Sequence, residues 1–239
     1  MILPAGPDLY PVVEGTWAPV RAFRVGPWMI REGGGGGQRV SAATAEPSFD
    51  PSDLAMAEKA MRDLGQKTLF MIREGDAQLD ALLERQGYRI HDPVALYAID
   101  IGELTSEKVP PVSAFSIWPP LAIQKDIWRE AGIGPERCAV MDRVQGPKTS
   151  ILARHNDQPA GAGFIACLKQ TAMIHSVEVV PSHRRQGVGS NILRQAAHWA
   201  QDQGATVFSL AVTRSNEKAN PLYTSLGMQV VGYYHYRVK

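Results

Sequence analysis

A strand-like run, Val177-Glu178-Val179-Val180, passes into a basic, glycine-bearing turn and then an amphipathic stretch; the turn reads Arg184-Arg185-Gln186-Gly187-Val188-Gly189-Ser190. That order suits a diphosphate. The first N–H groups of a helix have no intrahelical acceptor, and the helix dipole adds positive character at the same place. Gly187 and Gly189 remove side chains where phosphates would approach, and Arg184 and Arg185 add charge and donors. Downstream, Tyr223 stands on a short helical segment closed by Gly227. A phenol holds its proton at neutral pH and can donate it. Two upstream groups could accept a proton: His175, four residues before Val179, and Glu178. His175 ranks above Glu178, whose parity opposes that of Val177 and Val179 unless a bulge intervenes. The competing structural readings are an ordinary strand–turn–helix with surface arginines, a core tyrosine, and a buried histidine satisfied by backbone.

Together the two segments resemble the GNAT superfamily of acyl-CoA-dependent N-acyltransferases. Arg184, Gly187 and Gly189 match its Gln/Arg-x-x-Gly-x-Gly/Ala motif. Asn216, Ala219, Leu222, Tyr223, Leu226 and Gly227 match its later Asn-x-x-Ala-x-x-Leu-Tyr-x-x-Leu-Gly pattern, with Met228 in place of the aromatic. The resemblance covers about Ser113 to Lys239. It implies an acetyltransferase with acetyl-CoA as co-substrate, no metal, and a primary amine as acceptor. By the same resemblance, the backbones of Val177 and Val179 pair with the pantetheine arm, and one N–H there stabilises an oxyanion. The turn from Arg184 to Ser190, with Asn216, then holds the cofactor, and Tyr223 protonates the departing thiolate. Some family members place a base histidine where His175 stands. Pro221 departs from the pattern: it has no N–H, so the helix should start at Asn220 and leave Asn216 in a looser turn.

The elements that must position these groups follow from periodicity. In the second half the pattern predicts a strand near Ser113 to Trp118, helices at Leu121 to Ala131 and Pro135 to Val144, and a hairpin of Thr149 to His155 with Ala162 to Leu168. Met173 to Val180, a helix from Val188, Thr206 to Val212, the short helix and Met228 to Val238 complete it. The first half predicts a short helix near Asp8 to Glu14 and strands at Trp28 to Arg31 and Arg39 to Thr44, on either side of a flexible Gly33–Gly37 turn. Ser52 is expected to cap a helix from Asp53 to Leu64. A strand at Thr68 to Ile72, a helix capped by Asp76 and a strand from Tyr88 to Ile101 complete this half. Thr68 to Tyr88 aligns without a gap on Phe208 to Met228, placing Asp76 on Asn216 and Gly87 on Gly227. The fold expected is α/β with a mixed sheet, in two tandem GNAT-like halves. Residues 1–101 form a degenerate half without the cofactor motif, 102–112 a linker, and 113–239 the complete catalytic half. The first half carries Leu83 at the tyrosine position.

Three features compete for attention and are set aside. Gly161-Ala162-Gly163-Phe164-Ile165-Ala166 spells a dinucleotide fingerprint, yet it lies in a hairpin strand with no helix after it. Gly33 to Gly37 lacks the Lys-Ser/Thr of a phosphate loop, and Cys167 within an apolar strand reads as core. Net charge is +1, which gives no electrostatic footprint for nucleic acid. No apolar run reaches membrane-spanning length, no signal peptide is readable, and two distant cysteines point to a reducing compartment. The expected location is cytoplasmic, and the oligomeric state stays open. The alternative function is a non-catalytic acyl-CoA-binding regulatory module; a positioned acid, Tyr223, favours the enzyme.

Overall fold

The computed structural model of the protein describes residues 2–239. The chain runs α1 (Gly6–Thr16), β1 (Arg21–Val25), β2 (Trp28–Glu32), β3 (Thr44–Ala45), α2 (Leu54–Asp63), β4 (Leu69–Arg73), α3 (Ala77–Arg85), β5 (Arg89–Asp100) and α4 (Ile101–Thr105). It continues through β6 (Ala114–Ile117), α5 (Ala122–Glu130), α6 (Pro135–Arg143), β7 (Lys148–His155), β8 (Gln158–Leu168), β9 (Thr171–Val179), α7 (Val188–Asp202), β10 (Val207–Thr213), α8 (Asn220–Ser225) and β11 (Gln229–Val238). Among the described residues no helix is long and apolar enough to cross a membrane.

Most predicted elements form where their periodicity puts them, because each has an apolar face to bury. In α7 the residues Val188, Ile192, Leu193, Ala196 and Ala200 are all buried, at the helical spacing read from the sequence. Along β5 the run Val94–Ile99 is buried continuously, as a strand covered on both faces requires. Asn156 and Asp157 both take positive φ and turn the β7–β8 hairpin.

Three expectations are corrected. Arg39 to Thr44 is not a strand: Gln38–Val40 is a 3-10 turn, and Ser41 and Ala42 donate their N–H groups to Gln38 O. Only Thr44–Ala45 reaches a ladder, beside β2. The partner on the other side of β2 is β1, which is short and largely exposed and so carries no apolar period in the sequence. Ser52 does not cap α2; Asp50 accepts from Ser52 N and starts a 3-10 turn, Pro51–Asp53, ahead of it. The expected linker 102–112 opens inside a helix, α4, whose Ile101 and Leu104 join the core beneath α7.

The main sheet is mixed and eight-stranded, in the order β4-β11-β5-β10-β9-β8-β7-β6. Two strand–helix–strand units stand side by side in it. The units β4–α3–β5 and β10–α8–β11 correspond, and each lends its last strand to the other. β11 lies between β4 and β5, while β5 lies between β10 and β11. The two repeats therefore share one sheet, and the strand β5, from before residue 102, is built into the C-terminal repeat. Helices α7, α4 and α8 cover one face. Helices α5 and α6 cover the other, with Trp17 just after α1 packed among them.

Candidate active site

β9 and β10 are parallel and paired only from Val207↔Thr171 to Leu210↔Ile174. Beyond that point β10 stays with β5 as far as Thr213↔Val94, and β9 stays with β8 as far as Gly161↔Val179. The strands part, and the β9 backbone from His175 to Val179 has no strand on its β10 side. The opening is a cleft of about 360 Å³ lined by Val177, Glu178, Thr213, Asn216 and Tyr223, among others.

A bulge sets the side chains along this edge. Between the pairs Phe164↔His175 and Ala162↔Glu178, Ser176 and Val177 oppose the single residue Gly163. Ser176 takes φ 50°, and its carbonyl accepts from Trp128 Nε1 at 2.9 Å. The extra residue changes the parity. Val177 packs with the α7 cluster, whereas the Glu178 carboxyl feels Arg184 and Arg137 of α6. Burial holds that carboxyl above the usual range, with the two arginines opposing the shift. Tyr223 sits on the α7 side, 7% exposed, its ring 5.7 Å from that of Tyr97. Burial, then the nearby Glu178 and Tyr97, raise its phenol well above 10. Tyr223 and Glu178 thus approach the gap from opposite faces of the sheet.

α8 begins at Asn220, as Pro221 dictates, and Asn216 lies in the turn ahead of it, where its Oδ1 accepts from Ala219 N at 3.0 Å. At the start of α7, Gly187 has φ 79°, and no side chain caps the helix. The backbone N–H groups of Val188, Gly189 and Ser190 are its first turn. Gly187 is there for its left-handed backbone. Gly189 has a different reason: a Cβ would lie 2.9 Å from Leu222 Cδ2, so this glycine lets α7 approach α8. Arg184 is exposed, and its Nε donates to Val179 O at 3.1 Å, which ties it to the end of β9 and away from the helix start. Arg185 is exposed with φ 61°, and Gln186 Nε2 donates to Ser182 O at 3.2 Å.

His175 does not have the freedom a base needs. Arg39 Nη1 donates to its Nδ1 at 3.0 Å. A guanidinium only donates, so the ring proton is on Nε2, which donates to Thr16 Oγ1 at 2.9 Å. Thr16 in turn donates to Val12 O at 2.6 Å. Both ring nitrogens are engaged, and burial, then the neighbouring Arg39 cation, hold the imidazole well below its ordinary value. His175 is a neutral buried histidine, satisfied by side chains where backbone had been the expectation. Its protonation would set a second cation against Arg39. The unfolded chain binds this proton below about pH 6.5 and the native state does not, so stability is lost as pH falls through that value. A denaturant series should show His175→Asn with a shallower acid loss than the parent, by up to about 1.4 kcal/mol per pH unit. Parallel curves would place the acid-sensitive group elsewhere.

The set-aside features also find physical reasons. A Cβ at Gly161 would meet Glu178 O at 2.6 Å, and one at Gly163 would meet Ile192 Cγ2 at 3.0 Å; these glycines let α7 and β9 pack on β8. Cys167 is 5% exposed, and burial pushes its thiol up to about 11. Sequence reading missed Arg39 and Trp128, because each serves the site from a distant segment and carries no local pattern.

Comparison with known proteins agrees with this geometry. Residues 117–228 match the acetyltransferase (GNAT) family, a stretch that holds the parted strands, the glycine turn and α8. Over 95% of its length the chain is 22% identical to an uncharacterized N-acetyltransferase, YobR, of Bacillus subtilis (strain 168), covering 96% of that protein. Among solved structures, a GCN5-related N-acetyltransferase from Kribbella flavida superposes with a TM-score of 0.75 at 22% identity, covering 100% of this chain and 96% of that one. A tandem GNAT protein from the clavulanic acid biosynthesis pathway gives 0.65 at 12% identity, over 99% and 89% of the two chains. The likeness to the GNAT acetyltransferases, a family of acyltransferases, is therefore carried by residues 117–228 of the chain.

Proposed function

We propose that the protein transfers an acetyl group from acetyl-CoA to a primary amine by direct attack within a ternary complex. The observation that carries this reading is the parting of β9 and β10, which leaves the backbone of Val177 and Val179 without a strand partner on that side, only Arg184 reaching the Val179 carbonyl, just ahead of the uncapped start of α7. A pantetheine arm fits that edge as an added strand, and a pyrophosphate fits the N–H groups of Val188, Gly189 and Ser190. Arg185 and Gln186 stand beside these donors, Asn216 stands at the rim, and Arg184 braces the end of β9. Acetyl-CoA supplies the activated thioester. Across the gap Tyr223 donates a proton to the leaving sulfur, and Glu178, directly or through one water, takes the proton of the amine. A backbone N–H of the bulged edge is aimed where negative charge develops on the acyl oxygen. In this reading Glu178 takes the role that the resemblance offered to His175, which instead builds the floor.

The first repeat holds no cofactor site in this proposal. Its counterpart of Tyr223 is Leu83, fully buried, and no Arg-x-x-Gly-x-Gly precedes α2. The free cysteines, one of them buried, suit a reducing compartment and support a cytoplasmic location. The reading as a non-catalytic acyl-CoA-binding module is disfavoured because an acid and a base facing one gap serve turnover and not binding. Titration calorimetry should give one CoA per chain, and acetyl-CoA should release thiol in the presence of some member of a primary-amine panel. Two CoA per chain would overturn the assignment of the first repeat. CoA binding with no amine-dependent thiol release would favour the binding module.

A further inference from the structure

Arg39 comes from the first repeat, just after the Gly33–Gly37 turn, and lines the wall of the catalytic cleft. It stands where β9 and β10 part: Nη1 donates to His175 Nδ1 at 3.0 Å, and Nη2 reaches Ala211 O at 3.5 Å, a long contact. Ala211 and His175 directly follow the last paired residues, Leu210 and Ile174. No carboxylate among the described residues forms an ion pair with this guanidinium. Glu14 is held by Arg31 at 3.0 Å, Asp92 has His91 at 3.5 Å, and the cations bearing on Glu178 are Arg184 and Arg137. The other groups facing Arg39 are the hydroxyls of Tyr234 and Tyr236, from β11, each residue 3% exposed. Burial keeps the Tyr236 phenol protonated well beyond the usual range.

Among the described residues three enclosed polar side-chain atoms have no hydrogen-bond partner, and two of them are here: Arg39 Nε and Tyr234 Oη. The third, Arg143 Nη2, lies on α6. Leaving a buried donor unmet costs free energy, so an unmet guanidinium N–H on a cation with no carboxylate partner points to an acceptor with negative charge, with the Tyr234 hydroxyl beside it. Nε–H and the adjacent Nη2–H lie along one edge of the planar guanidinium, the pair that a carboxylate accepts in bidentate fashion. The proposed phosphate-binding donors are on the far side of the sheet, at α7, so the coenzyme's phosphates do not supply this anion.

We propose that Arg39 and Tyr234 form a carboxylate subsite of the acceptor pocket, so that the amine acetylated by this protein also bears a carboxylate, as a free amino acid does. The inference rests on the acetyl-transfer reading above and makes the first repeat part of substrate recognition. The amine faces Glu178 while its carboxylate is held by donors from Arg39 and Tyr234. No new bond is formed at the subsite; its effect is on affinity and on the position of the nucleophile.

The test uses a panel of free L-amino acids, each paired with its carboxamide, and reads binding and turnover separately. With the full chain saturated with CoA, calorimetry should show at least one amino acid binding at least about tenfold tighter than its carboxamide, the discrimination a charged hydrogen-bonded pair supports. Arg39→Gln should remove that preference, Arg39→Lys should restore part of it, and Tyr234→Phe should reduce it. In turnover the preference should lie mainly in KM. If no amino acid binds more tightly than its carboxamide, the subsite is overturned. Equal losses of turnover for both members of each pair in Arg39→Gln also overturn it, since the cation would then serve the shared transfer step. A preference for succinyl-CoA over acetyl-CoA that Arg39→Gln removes would assign the carboxylate to the acyl donor and overturn the acceptor assignment. A binding preference without any acetylation would leave the subsite standing and refute the catalytic reading instead.

Discussion

Replacing Tyr223 with phenylalanine is expected to lower kcat by at least about tenfold, toward the 10² to 10⁴ that positioned acid catalysis typically supplies, while CoA affinity stays within a few-fold. The phenol is held above its ordinary value by burial and by the nearby Glu178 and Tyr97. A raised acid keeps its proton through neutral pH, so Tyr223 is a donor over the whole physiological range. The thiolate that departs as the tetrahedral intermediate collapses is the group that gains from it. The substitution removes only an oxygen. The ring stays packed with Val188 and Leu222 and against Tyr97, so stability and the cofactor groove should persist. Binding is spared because the donors the phosphates require are backbone N–H groups of α7, which the substitution leaves in place. Single-turnover rates with a working acceptor decide the matter. An unchanged rate where chemistry is limiting would make Tyr223 a packed aromatic and nothing more.

Glu178→Gln should reduce kcat by about 10² and remove the ascending limb of its pH profile. The sign follows from the raised carboxyl. A base must be ionised, and burial extends the protonated, inactive form to higher pH than an exposed glutamate would show. The parent's rate should therefore climb with pH above the ordinary carboxylate range, and the glutamine variant should lack that limb. Stability should not fall in the variant, because glutamine keeps the shape and removes a half-buried charge. The contrast with His175 is sharp: substitution there should change acid stability and leave the limb in place. If Glu178→Gln retains the limb, the proton leaves through water or the acceptor alone.

The local pieces of this protein were legible because each is dictated by short-range chemistry. The glycine at 187 is demanded by a left-handed backbone, and Pro221 sets the start of α8 through its missing N–H. The stripe on α7 needs only a helical period and an apolar face. The repeat was visible as a register of strand, cap, helix and glycine, and the motif spacing that matches the family is itself local. By contrast, β1 and the two-residue β3 carry too little pattern to be seen, and Arg39 was placed on a strand that the glycine-rich turn does not allow.

What the sequence by itself determined was the order of the longer elements, the position of the glycine turn ahead of α7 and the presence of Tyr223 on a short helix. Only the tertiary structure decided which strands share the sheet, since β5 and β11 change places between repeats and no local preference encodes a partner. It alone supplied the surroundings of the two candidate bases. One extra residue at Ser176 reverses parity along β9, and Thr16 and Arg39, from far upstream, occupy both nitrogens of His175. A proton acceptor is defined by its free lone pair and its surroundings, and those are supplied by residues more than a hundred positions away.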